Sequence, residues 1–144
     1  MIQGQKRKCL LLAGGLDAAR NHPRYGHDLL WWAARLDAAG FACWAALGDG
    51  TVPTPPTASI KLTSAARRDV LAGLAWFAKL TKDDLGLLVV SNHGNRSGIC
   101  LWGPDVLTPP DLTQALQPAR DSLALVMGQR TVVCSGVSRV TGPS

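Results

Sequence analysis

Four short, unbroken apolar runs, each stopped by glycine or another turn-forming residue, constrain this chain more than any other feature. They are Cys9 to Ala13, closed by Gly14-Gly15; Phe41 to Leu47, closed by Gly48-Asp49-Gly50; Leu87 to Val90, followed by Asn92-His93-Gly94; and Leu123 to Met127, closed by Gly128-Gln129. All fall far below the roughly 18 apolar residues that span a bilayer. With no polar residue alternating into them, they read as strands buried on both faces. Segments of helical period lie between. Leu29, Ala33 and Leu36, with Leu30 and Ala34, make one side of a helix over 26–39 apolar, and Gly40 supplies its left-handed stop. Val70, Leu74 and Phe77, with Leu71 and Ala78, do the same after an N-cap expected at Thr63-Ser64. Thr108-Pro109-Pro110-Asp111 is a helix start with a hydroxyl cap and a first-turn carboxylate, and Leu112, Ala115 and Leu116 form its buried side. Ile99 to Trp102 reads as a short strand or hairpin arm, and the proline-rich segment 51–57 as a surface connection. Strands alternating with helices imply an α/β fold in three layers, a mostly parallel sheet with helices on both faces.

At 144 residues the chain suits one domain, residues 1–144. Its 47% hydrophobic and 17% charged residues exclude global disorder. The net charge of +5 and pI near 9.4 would suit a nucleic-acid partner, but the 15 Lys and Arg are scattered along the chain, so none is expected. Met1 to Lys8 is basic and leads into Leu10-Leu11-Leu12-Ala13, yet the apolar part ends at Gly14, shorter than a secretory h-region, so it reads as a first strand. Cys9, Cys43, Cys100 and Cys134 are widely spaced with no C-x-x-C pair, which argues against zinc and for reduced, buried thiols in a cytoplasmic protein. Neither a metal nor any other cofactor is expected, nor a membrane partner.

In open α/β sheets sites form where strands end at their carboxyl edge. The polar groups there are Gly14-Gly15, Asn92-His93-Gly94 and Gly128-Gln129-Arg130. His93, a strand-exit histidine followed by glycine, is a candidate proton carrier, because imidazole titrates near neutrality and glycine admits a substrate backbone; the alternative is a loop histidine bonded to a nearby carbonyl. Gly14-Gly15-Leu16-Asp17 matches neither dinucleotide nor phosphate-loop patterns. Asn21-His22-Pro23-Arg24-Tyr25-Gly26-His27-Asp28 concentrates donors before a helix: Arg24 could hold a carboxylate or amide of a peptide, or the stretch is a solvated entry in which Asp28 complements the helix dipole.

This order of pieces resembles the caspase-like cysteine peptidases, closest to their legumain-like and bacterial branches, over residues 8–129. The likeness is carried by Leu10-Leu11-Leu12-Ala13-Gly14-Gly15, the Asn/Arg/His-rich loop with its helix, the segment Thr63 to Asp84, the strand Leu87 to Ser91 with Asn92-His93-Gly94, and Leu107 to Leu116. It implies a His/Cys dyad with His93 as the histidine, the Gly94 backbone N–H as an oxyanion donor, Arg24 and Asn21 in substrate recognition, and a peptide or protein as substrate or partner. The family places its cysteine just after the next strand, where this chain has Arg130, a permanently protonated side chain that cannot attack a carbonyl. Cys134 lies four residues further on; it is either a displaced nucleophile or a small buried residue in a terminal strand 131–134. Were the strand to run on extended, Cys134 would sit about 13 Å past Arg130, too far to share a dyad with His93.

Residues 130–144 diverge from the family, and the caspase-like fold is expected to be incomplete there, as a reading-frame change or truncated product would leave it. Two functions follow from the resemblance: a cysteine endopeptidase homologue with impaired activity, and a non-catalytic caspase-like interaction module.

Overall fold

The computed structural model describes residues 5–15, 17–19, 23–51, 59–90, 94–95, 97–119, 123–128 and 138–141; residues 23–25, 94–95, 123–128 and 138–141 are described by their backbone. All four apolar runs lie in one sheet, as β1 (Arg7–Ala13), β2 (Ala42–Leu47), β4 (Leu85–Val90) and β8 (Leu123–Gly128). Two further strands flank them: β3 (Lys61–Thr63) beyond β2, and β9 (Ser138–Thr141) beyond β8. The order across the sheet is β3-β2-β1-β4-β8-β9, and every pairing is parallel.

Alternation along the strands sorts side chains into two cores. Cys9, Leu11, Ala13, Cys43, Ala45 and Leu47 face α1 (Pro23–Ala38), packing on its Leu29 and Ala33. Leu10, Leu12, Trp44, Ala46, Leu88 and Val90 face the other way, onto Val70, Leu74 and Phe77 of α2 (Arg67–Phe77) and Leu112 and Leu116 of α3 (Pro109–Leu116). Continuous apolar runs are therefore required, since both faces of β1 and β2 are covered. The face on which each helix lies follows from connection direction. The step from β1 to β2 runs one way across the sheet, whereas those from β3 to β4 and from β4 to β8 run the other way; crossovers of one hand put α1 opposite α2 and α3.

Helix ends agree with the sequence in part. Gly40, at φ +90°, closes α1: its N–H donates to the Asp37 carbonyl, and the Phe41 N–H to that of Leu36. α3 carries the expected cap, in which the Asp111 N–H donates to Thr108 Oγ1 at 3.2 Å while the Thr108 N–H donates to the Asp111 carboxylate at 3.1 Å. The α2 cap is corrected. Thr63 belongs to β3, the N-cap is Ala66 without a side-chain bond, and the Ser64 hydroxyl donates to Asp69 while accepting from the Ala66 N–H. α1 begins at Pro23 rather than Gly26, which leaves no acidic residue in its first turn, so Asp28 does not complement the helix dipole there.

The expected terminal strand over 131–134 lies outside the described residues. The described strand of the tail is β9, whose Ser138 is level with Leu125 of β8 and whose Thr141 is level with Gly128. Ser138 therefore lies three residues back from Gly128 along β8.

Two carboxylates tie connections to the sheet and make stability pH-dependent. Asp84, the buried charged residue of the described core, accepts from the Thr81 N–H at 2.8 Å, the Thr81 hydroxyl at 3.0 Å and the Lys6 N–H at 2.9 Å. Asp111 adds an ion pair with Arg67 at 3.4 Å to its capping bonds. Hydrogen bonds to the charged form hold both carboxyls below their ordinary value, with the Thr81 and Thr108 backbone N–H groups the leading causes. Their contribution is complete above the unfolded carboxyl value of about 4 and is lost as pH falls from there through the lower folded values. Urea unfolding across that range should show a falling midpoint, and the double variant Asp84→Asn/Asp111→Asn should flatten the fall; an unchanged slope would contradict the assignment.

Candidate functional site

The candidate residues named from sequence are expected at the carboxyl edge of the sheet. Leu12 of β1 is level with Val90 of β4, which is level with Gly128 of β8, so three central strands finish together. The connection from β1 leads to α1 on one face, and that from β4 leads toward α3 on the other. β1 and β4 thus flank the topological switch point, the position at which departing connections diverge and leave a crevice in an open parallel sheet. Gly14 and Gly15 are buried on the β1 side, with Gly15 at φ +73°.

A small antiparallel sheet follows β4 in the chain and packs on the face of α2 and α3. It comprises β5 (Gly94–Asn95), β6 (Gly98–Cys100) and β7 (Val106–Leu107). Ile99, Leu101 and Leu107 anchor it in the core shared with α2 and α3. Backbone bonds fasten it to the rim: the Gly48 N–H donates to Ala13 at 2.8 Å, the Ala65 N–H to Gly48 at 2.8 Å, and the Trp102 N–H to Ala65 at 3.0 Å. Arg67 donates to the Val106 carbonyl at 3.4 Å and pairs with Asp111, joining the starts of α2 and α3 to β7.

The pairing alternation orients Gly94. The Leu101 N–H donates to the Asp105 carbonyl, so Leu101 and Asp105 form a bonded pair; Cys100 with Val106 is then non-bonded, and Ile99 with Leu107 bonded. Ile99 therefore turns its N–H and carbonyl toward β7, which makes its pairing with Gly94 on the other side the non-bonded kind. The Gly94 N–H and carbonyl face away from β6, toward the outer side of the hairpin.

Arg24 is the second residue of α1, and its side chain lies outside the described part. α1 ends at the amino edge, where Arg7 of β1 donates to the Ala39 carbonyl at 3.1 Å, so its first turn opens toward the opposite, carboxyl edge. The backbones of Arg24 and Gly94 therefore lie at one sheet edge, on α1's face and on the small sheet's side respectively. His93, Cys134, Asn21, Asn92, Gln129 and Arg130 lie outside the described residues. Of the other cysteines, Cys9, Cys43 and Cys100 are buried thiols. Among the described residues there is no cluster of metal-ligating side chains, and no helix is long and apolar enough to cross a membrane.

Fold and edge together define a parallel, helix-flanked α/β arrangement with a topological switch point between β1 and β4. Comparison with protein-family models and with curated proteins finds no match for the chain. The sequence reading missed the two edge strands and the Cys9–Cys43 juxtaposition. The first carry no apolar run, and the second depends on strand register.

Proposed function

We propose that this chain is a caspase-like cysteine endopeptidase homologue whose peptide cleft lies at the carboxyl edge beside β4 and whose peptidase chemistry is impaired. One observation carries the reading: β1, β4 and β8 end level at the switch point, and the segment holding His93 leaves from the middle strand of the three. The outward-facing Gly94 backbone and the α1 first turn at the same edge support it.

In an intact site a cysteine thiolate would attack the scissile carbonyl carbon, its electron pair forming the S–C bond while the π electrons move to oxygen. His93 would then protonate the leaving amine as the C–N bond breaks. The Gly94 N–H would hold the oxyanion, a contribution of about 3 kcal/mol per donor. Arg24 and Asn21 would hold the residue before the cut. Arg130 follows the β8 exit by two residues, at the position the nucleophile needs, and offers no lone pair for attack. The same observation favours a second reading, a non-catalytic module that holds a peptide or protein segment at this edge. A cytoplasmic setting accords with the three buried thiols.

Site-resolved labelling tests the impairment. Cys134 should react with a peptide-bearing thiol electrophile no faster than with a small alkylating agent, and His93→Ala should leave its rate unchanged. Peptide-dependent acceleration that disappears in His93→Ala would establish a working dyad and overturn the reading.

A further inference from the structure

Cys9 and Cys43 sit directly opposite each other on the adjacent parallel strands β1 and β2, outside the machinery proposed above. Paired residues of parallel strands project to the same face, and both side chains enter the α1 core, with Cys9 0% and Cys43 4% exposed. Cys43 Sγ lies 3.6 Å from the Phe41 carbonyl and 3.8 Å from that of Ala33. Strands about 4.8 Å apart hold the two Cα atoms inside the range of about 4.4 to 6.8 Å that a disulfide spans. Cys43 is the second residue of its strand, beside exposed Ala42 and half-buried Phe41, so the pair lies a short step beneath the amino-edge surface.

We propose that Cys9 and Cys43 form a redox-active pair, oxidised by hydrogen peroxide to a reversible disulfide that clips β1 to β2 beneath α1. Cys43 is the attacking sulfur. Of the two sulfurs it lies nearer the surface, its residue 4% exposed against 0% for Cys9 and next to exposed Ala42. The Cys43 thiolate attacks one peroxide oxygen; the O–O bond breaks, and the departing hydroxide takes up the Cys43 proton as water, leaving a sulfenic acid. Cys9 sulfur then attacks Cys43 sulfur, the S–O bond breaks, and the hydroxide leaves with the Cys9 proton as a second water. Two thiols and one peroxide become one disulfide and two waters, the sulfurs giving up the two electrons that reduce the peroxide. A dithiol reductant reverses the step by attacking the disulfide, releasing both cysteines as thiols while it is itself oxidised to its own disulfide.

Peptide mapping of the intact, folded chain after peroxide treatment reads the outcome. Expected is a linked peptide pair holding Cys9 and Cys43, lighter by two hydrogens than the separate peptides, reversed by dithiothreitol, with Cys100 still a thiol. In urea, where register is lost, the pairings should scatter among the four cysteines. A Cys9→Ser variant should carry a dimedone adduct at Cys43 after peroxide. Two results would each overturn the proposal: Cys9 and Cys43 persisting as thiols in the folded, peroxide-treated chain, or the folded chain giving the scattered pairings of the unfolded one.

Discussion

Replacing Gly98 by alanine should lower stability by about 3 kcal/mol or more and detach the small sheet from the rim before the main sheet opens. Gly98 holds a φ of +150°, and a Cβ built on it would stand 2.1 Å from the Leu107 carbonyl oxygen and 3.0 Å from the Thr108 Cα. Both obstacles are backbone, so no side-chain rotation relieves them. β6 must move off β7, carrying with it the hairpin whose far arm begins at Gly94. Urea unfolding would measure the loss. Hydrogen exchange would locate it: the Ile99, Leu101 and Leu107 amides should lose protection first, while those of β1 and β4 keep theirs. A Gly98→Ala chain of unchanged midpoint and protection would mean that the small sheet does not depend on this close approach.

The second large effect is a gain. Arg130→Cys should create a thiol that a peptide-bearing electrophile labels about a hundredfold faster with His93 present than in the double variant with His93→Ala, the scale on which a positioned base activates a nucleophile. The expectation rests on the level finish of β4 and β8, which brings the segments leaving the two strands to one edge. Labelling indifferent to His93 would remove position 130 from the nucleophile's place. Cleavage is a stricter demand than labelling, because a bound peptide must also be held to within about 0.5 Å of the reacting geometry.

The interior of the fold is legible from sequence because burial on both faces demands an unbroken apolar run. Cys9 to Ala13 and Leu87 to Val90 could scarcely be anything but strands. The edges escape this logic. Lys61–Thr63 is three residues long with an exposed lysine, and it is a strand because β2 supplies backbone partners; Trp44, level with Lys61, takes the Lys61 ammonium over its ring at 3.9 Å and donates its indole N–H to Thr63 at 2.9 Å. Ser138–Thr141 likewise pairs through its backbone with β8. The start of α1 was signalled by Pro23, a residue favoured at the first helical position, more truly than by the apolar stripe, which begins only at Leu29. The candidate site divides in the same way. Strand exits can be read from the ends of apolar runs, so Gly14-Gly15 and the Gly94 neighbourhood could be named in advance. The switch point between β1 and β4 could not, because it depends on pairing order, and pairing order is set by which crossovers the helices can make across the sheet.

Peptide cleavage by the unmodified chain tests the central claim most directly. Incubated with a library of short peptides under reducing conditions, which also keep Cys9 and Cys43 as thiols, the chain should release no fragments beyond those in a no-protein control. Cleavage that disappears in both Cys134→Ala and His93→Ala would contradict the account, making Cys134 a working nucleophile and the chain an active peptidase.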